Sequence, residues 1–293
     1  MPTSPQDFGG NWTEDKLERV RKYLAAYVHV LKDKRFRFAY IDAFAGTGYR
    51  TETKSKNDRA LLFPELADEE SQGFLEGSAR IALQVEPRFH KYIFIEKDPK
   101  RFAELEQLKG EFPDLKDDII LENREANDYL QDLCLNRNWA TRRAVLFLDP
   151  FGMQVTWATI EAIAKTQAID LWVLFPLGIA VNRMIPKSGK MSDAWRRKLD
   201  IMFGATDWYE AFYQPVNRKG LFDEETSMLK VSDFDSISRY FVKRLKTVFA
   251  EVAENPRPLY NSRNIPLFLL CFASGNPRGS KTAIKIARHI LEN

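Results

Sequence analysis

Three short stretches carry side chains that could do chemistry, and each stands where an apolar run stops. The first is Asp42-Ala43-Phe44-Ala45-Gly46-Thr47-Gly48, which follows the run from Arg37 to Ile41. Gly46 and Gly48, with the small Ala45, let the main chain approach a ligand closely and take up positive φ without a Cβ penalty. The second is Glu96, directly after Lys91-Tyr92-Ile93-Phe94-Ile95. A carboxylate at such a strand end can accept two hydrogen bonds from the hydroxyls of a ribose. The third is Asp149-Pro150-Phe151-Gly152, after the continuous apolar run Ala144 to Leu148. The proline keeps Asp149 out of helical geometry, so the acid sits in an extended turn at the strand end. The polar run Glu122 to Asp128 adds Glu125 and Asn127 after a further strand, and a helix N-cap is the plainer reading of Asn127.

Positioning these groups requires a parallel sheet, because ligands of open α/β sheets bind outside the carboxyl ends of the strands. The sequence alternates accordingly. Leu17, Val20, Tyr23, Leu24, Tyr27, Val28 and Leu31 predict a helix from Thr13 to Leu31. Strands follow at Arg37–Ile41, Lys91–Glu96, Asp118–Leu121, Ala144–Leu148 and Ile169–Pro176. Helices are expected from Ser78, from Asp98 to Phe112, from Tyr129 and from Trp157 to Lys165, with Ser78 as an N-cap. Such alternation gives right-handed crossovers and a mostly parallel sheet. The polar stretch from Tyr49 to Ser71 reads as a loop or cover over the site, and it would explain why Glu96 follows the glycines by more than twice the usual separation of about 20 residues.

From Gly178 to Phe234 the alternation stops. No strand pattern is visible there, and aromatic residues mix with Lys187, Lys190, Arg196, Arg197 and Lys198. A helical insertion beside the site is expected. The division is therefore a Rossmann-like core over 13–177 and 236–291 with an insertion over 178–235. A helix is expected from Ser236 to Val252. Late strands are expected at Arg257–Tyr260 and Pro266–Ser274, joined through Asn264, and Ser280 to Leu291 closes the chain as a basic helix.

Composition narrows the chemistry. The chain has 293 residues, 44% hydrophobic and 29% charged, as in a globular protein of one large or two small domains. No apolar run is long enough to span a bilayer and the first residues lack signal-peptide character, so a cytoplasmic location without membrane attachment is expected. Cys134, Cys271, His29, His90 and His289 match no metal-ligand spacing, and the cysteines read as buried thiols. Gly275 to Thr282 lacks the spacing of a phosphate-binding loop. The net charge of +3 is too small to argue for nucleic acid by itself. The clusters Arg142-Arg143, Arg196-Arg197-Lys198, Lys243-Arg244-Lys246 and Arg278-Lys281-Lys285-Arg288 read as solvated faces unless they flank one cleft, where they could hold phosphates.

The string Asp42 to Gly48 resembles motif I of S-adenosylmethionine (SAM)-dependent methyltransferases, and Asp149-Pro150-Phe151-Gly152 resembles motif IV of those that methylate amines, in the form found in tRNA guanine-N2 dimethyltransferases. The resemblance implies that Asp42, Phe44, Ala45, Gly46 and Gly48 bind the methionine part of SAM, Glu96 the ribose and Asn127 the adenine. Asp149 and Pro150 would accept hydrogen bonds from an exocyclic amine, freeing its lone pair for the methyl group. Phe151 stands where the motif usually has proline and Gly152 where it has an aromatic ring, so a stacking ring would come from Phe151, Trp157 or the insertion. Together with Trp12-Thr13, Gly77-Ser78-Ala79, Phe94-Ile95-Glu96 and Phe203-Gly204, these motifs resemble the three-Cys-motif partner (TcmP) proteins over about residues 12–290. That resemblance implies a methyltransferase-like fold and a neighbouring radical-SAM-like protein with three cysteines, while the two motifs imply SAM as cofactor and a nucleic acid or nucleotide as acceptor. It leaves open an enzyme or a non-catalytic subunit of that partner.

Overall fold

The computed structural model describes residues 12–46, 77–150, 152–219 and 224–293. A sheet is built from β1 (Arg37–Asp42), β2 (Lys91–Ile95), β3 (Ile119–Glu122), β4 (Arg142–Leu148), β5 (Ile169–Phe175) and three later strands. Its order is β3-β2-β1-β4-β5, with the first five strands parallel. Beyond β5 lies β10 (Pro266–Ser274), antiparallel to it, and β10 carries β8 (Glu251–Val252) and β9 (Arg257–Tyr260) on its other edge. The order reverses between β1 and β4, which makes the carboxyl ends of those two strands the switch point of the sheet.

Period-2 alternation sorts the strand residues to two faces. Phe38, Tyr40, Tyr92, Phe94, Phe147, Trp172 and Phe272 point one way, into an aromatic core under α1 (Trp12–Leu31), α2 (Ser78–Leu83) and α9 (Ser280–Glu292). Ile41, Ile93, Leu146, Leu171, Val173 and Cys271 point the other way, under α4 (Ala126–Asn136), α5 (Trp157–Lys165) and α8 (Phe234–Lys246). Caps written in the sequence start several helices. Asp98 accepts from two backbone N–H groups ahead of Pro99 at the start of α3 (Pro99–Leu105), Thr156 caps α5, and Asp233 with Ser236 forms a capping box on α8.

Several expectations are corrected. The helix expected to Phe112 ends at Leu105, with a separate turn at Leu108–Glu111. The helix expected to Val252 ends at Lys246, because Glu251 and Val252 pair with Ser274 and Ala273 at the sheet edge. The insertion holds helices α6 (Asp193–Phe203) and α7 (Trp208–Phe212), and also an unforeseen hairpin of β6 (Tyr213–Lys219) with β7 (Glu224–Lys230). Pro215 fits there because a two-stranded ribbon leaves one edge of each strand without a partner. Gly77, not Ser78, is the N-cap residue of α2. The late hairpin is present, and Asn264 turns it at φ 56. Cys134 and Cys271 are buried free thiols, and burial pushes Cys134 up to about 12. Among the described residues no helix is long and apolar enough to cross a membrane. Tyr49 to Ser71, the expected cover, lies outside the described residues.

Candidate active site

A cavity of about 300 Å³ opens at the switch point. Phe44, Ala45 and Gly46 form one wall after β1, Glu96 another after β2, and Asp149 with Pro150 a third after β4. The structure thus brings together six of the residues singled out in the sequence. Gly48 and Phe151 lie outside the described residues.

The loop after β1 is held from beneath. Asp42 is fully buried and is not on the cavity wall. One oxygen accepts from the Phe44 N–H at 3.2 Å, and the other takes hydrogen bonds from the hydroxyls of Ser78 and Tyr40. Burial pushes this carboxyl up to about 6, and the nearby Asp149 pushes the same way, while the Ser78 and Phe44 hydrogen bonds oppose the rise. Asp42 therefore shapes the loop instead of forming part of the cradle surface. Gly46 takes φ 62, and a Cβ built there meets nothing within 4 Å among the described residues, so they leave the cradle surface open at this point.

Glu96 ties the two loops together. One carboxylate oxygen accepts from the Gly46 N–H at 3.1 Å and the other from the Asp98 N–H at 2.8 Å. Each carboxylate oxygen has two lone-pair sites, so both can still accept from a ligand hydroxyl. After β3 the outcome differs from the expectation. Glu125 caps α4 and lines the cavity, whereas Asn127 does not. The Asn127 amide donates to Glu125 and to the Gln154 carbonyl, and its oxygen accepts from Thr156 and Thr159. Asn127 joins α4 to the start of α5 and leaves the cavity to its neighbour.

Sequence reasoning missed Lys16. Its ammonium pairs with Asp149 Oδ2 and lies over the rings of Trp12 at 5.1 Å and Phe147 at 5.9 Å. The signal was present: Lys16 stands on the same helical stripe as Val20, Tyr23 and Tyr27, where an apolar residue is expected. The ring expected beside Asp149 also comes from elsewhere. Trp12 and Phe268 line the cavity with centroids 4.9 Å apart, while Trp157 is buried beneath Arg244. Lys97 and Arg101 add positive charge on the Glu96 side.

The basic clusters do not converge here. Arg244 bonds the carbonyls of Phe203 and Gly204, and Lys246 pairs with Glu254. Arg143 and Arg278 line a different cavity.

No family model and no curated protein matches the chain. Among solved structures, protein LPL1258 from Legionella pneumophila is similar at 15% identity and a TM-score of 0.51, over 97% of this chain and 91% of that one. Trm1 from Pyrococcus horikoshii, solved with S-adenosyl-L-methionine, gives 12% identity and a TM-score of 0.43 over 97% of this chain and 61% of that one. A putative S-adenosylmethionine-dependent methyltransferase from Listeria monocytogenes gives 10% identity and a TM-score of 0.38 over 88% and 98%. At these identities the likeness concerns fold. The chain has a Rossmann-like fold, a mostly parallel sheet covered by helices on both faces.

Proposed function

We propose that the chain is a SAM-dependent methyltransferase of the TcmP type that acts on an exocyclic amine of a nucleic acid or nucleotide. The observation that carries this reading is the convergence of Gly46, Glu96, Asp149 and Pro150 on one cavity at the switch point. The cavity volume is at the lower end of the range of about 300–1,000 Å³ usual for small-molecule sites. The open Gly46 surface and the spare lone pairs of Glu96 fit an amino-acid portion and a ribose respectively. When bound, SAM would supply an electrophilic methyl group.

The protein's part is positioning. Lys16 engages Oδ2 of Asp149, so Oδ1 can accept from an amine N–H, with the Pro150 carbonyl as the second acceptor. Trp12 and Phe268 offer flat apolar surface for a base. The amine needs no strong base and can lose its proton after transfer.

Isothermal titration of SAM and S-adenosylhomocysteine into the protein and its Glu96→Ala variant tests the cofactor site. Micromolar binding, lost in the variant, is expected. Absence of binding to the folded protein would overturn the reading.

One observation favours a second reading, a non-catalytic subunit of a three-cysteine partner. Gly152, at φ 70, stands where the motif usually presents a ring. That reading expects a stable complex with the partner and no methyl transfer. Separate elution of the two proteins would count against it.

A further inference from the structure

A second cavity, of about 310 Å³, lies at the opposite end of the sheet. It sits under the amino-terminal ends of β4 and β5, between α1 and α9. Its walls are largely apolar, from Tyr27, Leu31, Phe36 and Ile286. Three cations, Lys34, Arg143 and Arg278, also line it. Among the described residues none of the three forms an ion pair. The one acid on the wall, Asp170, already accepts from the hydroxyls of Tyr23 at 2.8 Å and Ser274 at 2.6 Å.

Arg143 is the informative group. Its guanidinium lies 3.9 Å from the centre of the Phe36 ring, which fixes its plane. One terminal nitrogen donates to the carbonyls of Trp139 and Arg142. Its Nε is shut off from solvent and has no hydrogen-bond partner among the described residues. A buried donor without a partner is costly, and here it is part of a cation. Burial lowers the proton affinity of Arg143; the nearby Tyr27 and Asp170 oppose this, and the like charge of Arg278 adds to it. The turn carrying Arg278 leads into α9, whose N-cap, Gly279, makes no side-chain cap bond, so the positive end of a 13-residue helix adds to the field.

These features ask for an anion with an apolar body. We propose that this cavity binds a small organic acid, with its oxyanion between Arg143 and Arg278 and its hydrocarbon portion against Tyr27, Leu31 and Ile286. On Arg143 the terminal nitrogen not engaged by Trp139 and Arg142 is the one left to donate to an oxyanion, and Arg278 supplies the second cation. The apolar walls supply the remaining affinity by removing hydrocarbon from water. The proposal is independent of what binds at the switch point, since the two cavities share no residue.

The test is isothermal titration of octanoate into the full chain, with octanol as the uncharged control. One octanoate per chain is expected, bound about tenfold more tightly than octanol. Arg278→Gln should weaken octanoate by about fivefold or more and leave octanol unchanged. Arg278 is exposed, so this change leaves the core intact. Ile286→Trp, which fills the apolar end, should abolish binding of both. Equal affinity for octanoate and octanol, or an Arg278→Gln protein that binds octanoate like the parent, would overturn the proposal.

Discussion

The ammonium of Lys16 forms an ion pair with Asp149 Oδ2 across 133 residues of chain, and the two partners are unequally buried. The Lys16 side chain is 5% exposed and that of Asp149 is 27% exposed. Removing either partner strands the other, but in different surroundings. Asp149→Ala leaves a buried cation over the rings of Trp12 and Phe147, with the buried carboxyl of Asp42 nearby. Lys16→Met leaves a carboxylate that water can still reach. Breaking a buried pair by deleting one partner costs about 3–5 kcal/mol when the survivor is fully shut in. Asp149→Ala should therefore lose about 3 kcal/mol and Lys16→Met about 1 kcal/mol in urea unfolding. Equal losses would mean that the pair is screened alike on both sides. In turnover, Asp149→Ala should abolish methyl transfer and leave SAM affinity within about threefold, since the acid orients the acceptor and not the cofactor. Unchanged turnover would remove Asp149 from the mechanism.

Glu96 should show the opposite pattern. Its carboxylate holds the amides of Gly46 and Asp98, which fixes both loops at the cavity. Hydrogen bonds to a charged group are worth about 1.5–3 kcal/mol each, so Glu96→Ala should weaken SAM by about tenfold or more. Glu96→Gln keeps one acceptor oxygen and gains a donor aimed at an N–H group, so it should recover only part of the loss. The check is the same titration on all three proteins, and an intermediate affinity for Glu96→Gln is the expected mark of loop anchoring.

Two glycines with nearly the same backbone separate conformational strain from steric exclusion. Gly46 has φ 62 and Gly204 has φ 59. Among the described residues a Cβ at Gly46 meets nothing within 4 Å, whereas one at Gly204 falls 2.0 Å from Cδ1 of Trp157. Gly46→Ala should cost only the left-handed backbone penalty, about 1–2 kcal/mol of stability, while narrowing the candidate site. Gly204→Ala must also displace a buried indole that stacks with Arg244, and should cost about 3 kcal/mol or more. Thermal or urea unfolding of both variants measures the gap. Similar losses would show that Trp157 moves aside freely.

How much of this was legible in the sequence follows from how local each feature is. Asp42, Glu96 and Asp149 each close an apolar run, so their place at strand ends could be read from a few adjacent residues. The facing of a polar run could not. Between Glu125 and Asn127, the helix cap turned Glu125 toward the cavity and set Asn127 between α4 and α5, a choice made by Thr156 and Thr159 about 30 residues away. Lys16, Trp12 and Phe268 reach the cavity only because α1 and β10 fold over it from the two ends of the chain. The hairpin in the insertion gave no signal because its strands are polar, with Pro215 in the first, and their register is set by pairing with each other. The role of Ser78 was hidden for a similar reason: its hydroxyl donates to Asp42, 36 residues earlier, and does not cap its own helix.

Asp170 gives a pH test of the fold. It is buried, burial pushes its carboxyl up from 3.8 to about 6, and the hydrogen bonds from Ser274 and Tyr23 oppose the rise. Between pH 4 and 6, roughly, the folded protein keeps a proton here that the unfolded chain has released. The folded state then binds more protons, so stability falls as pH rises through this window, and the full cost stands above it. A rise from 3.8 to about 6 corresponds to about 3 kcal/mol. Asp170→Asn keeps an acceptor for one hydroxyl, and the other hydroxyl can turn to accept from the new amide. The variant removes the ionisation and preserves the shape. Relative to Asp170→Asn, the parent protein should lose about 3 kcal/mol of stability between acid pH near 4 and neutral pH. The measurement is a series of urea unfolding curves for both proteins across that range. Asp42, also pushed up to about 6, is unchanged in both and cancels in the difference. Parallel curves would mean that Asp170 ionises in the folded protein as it does in the unfolded chain, with its burial compensated by the two hydroxyls and the charge of Arg143.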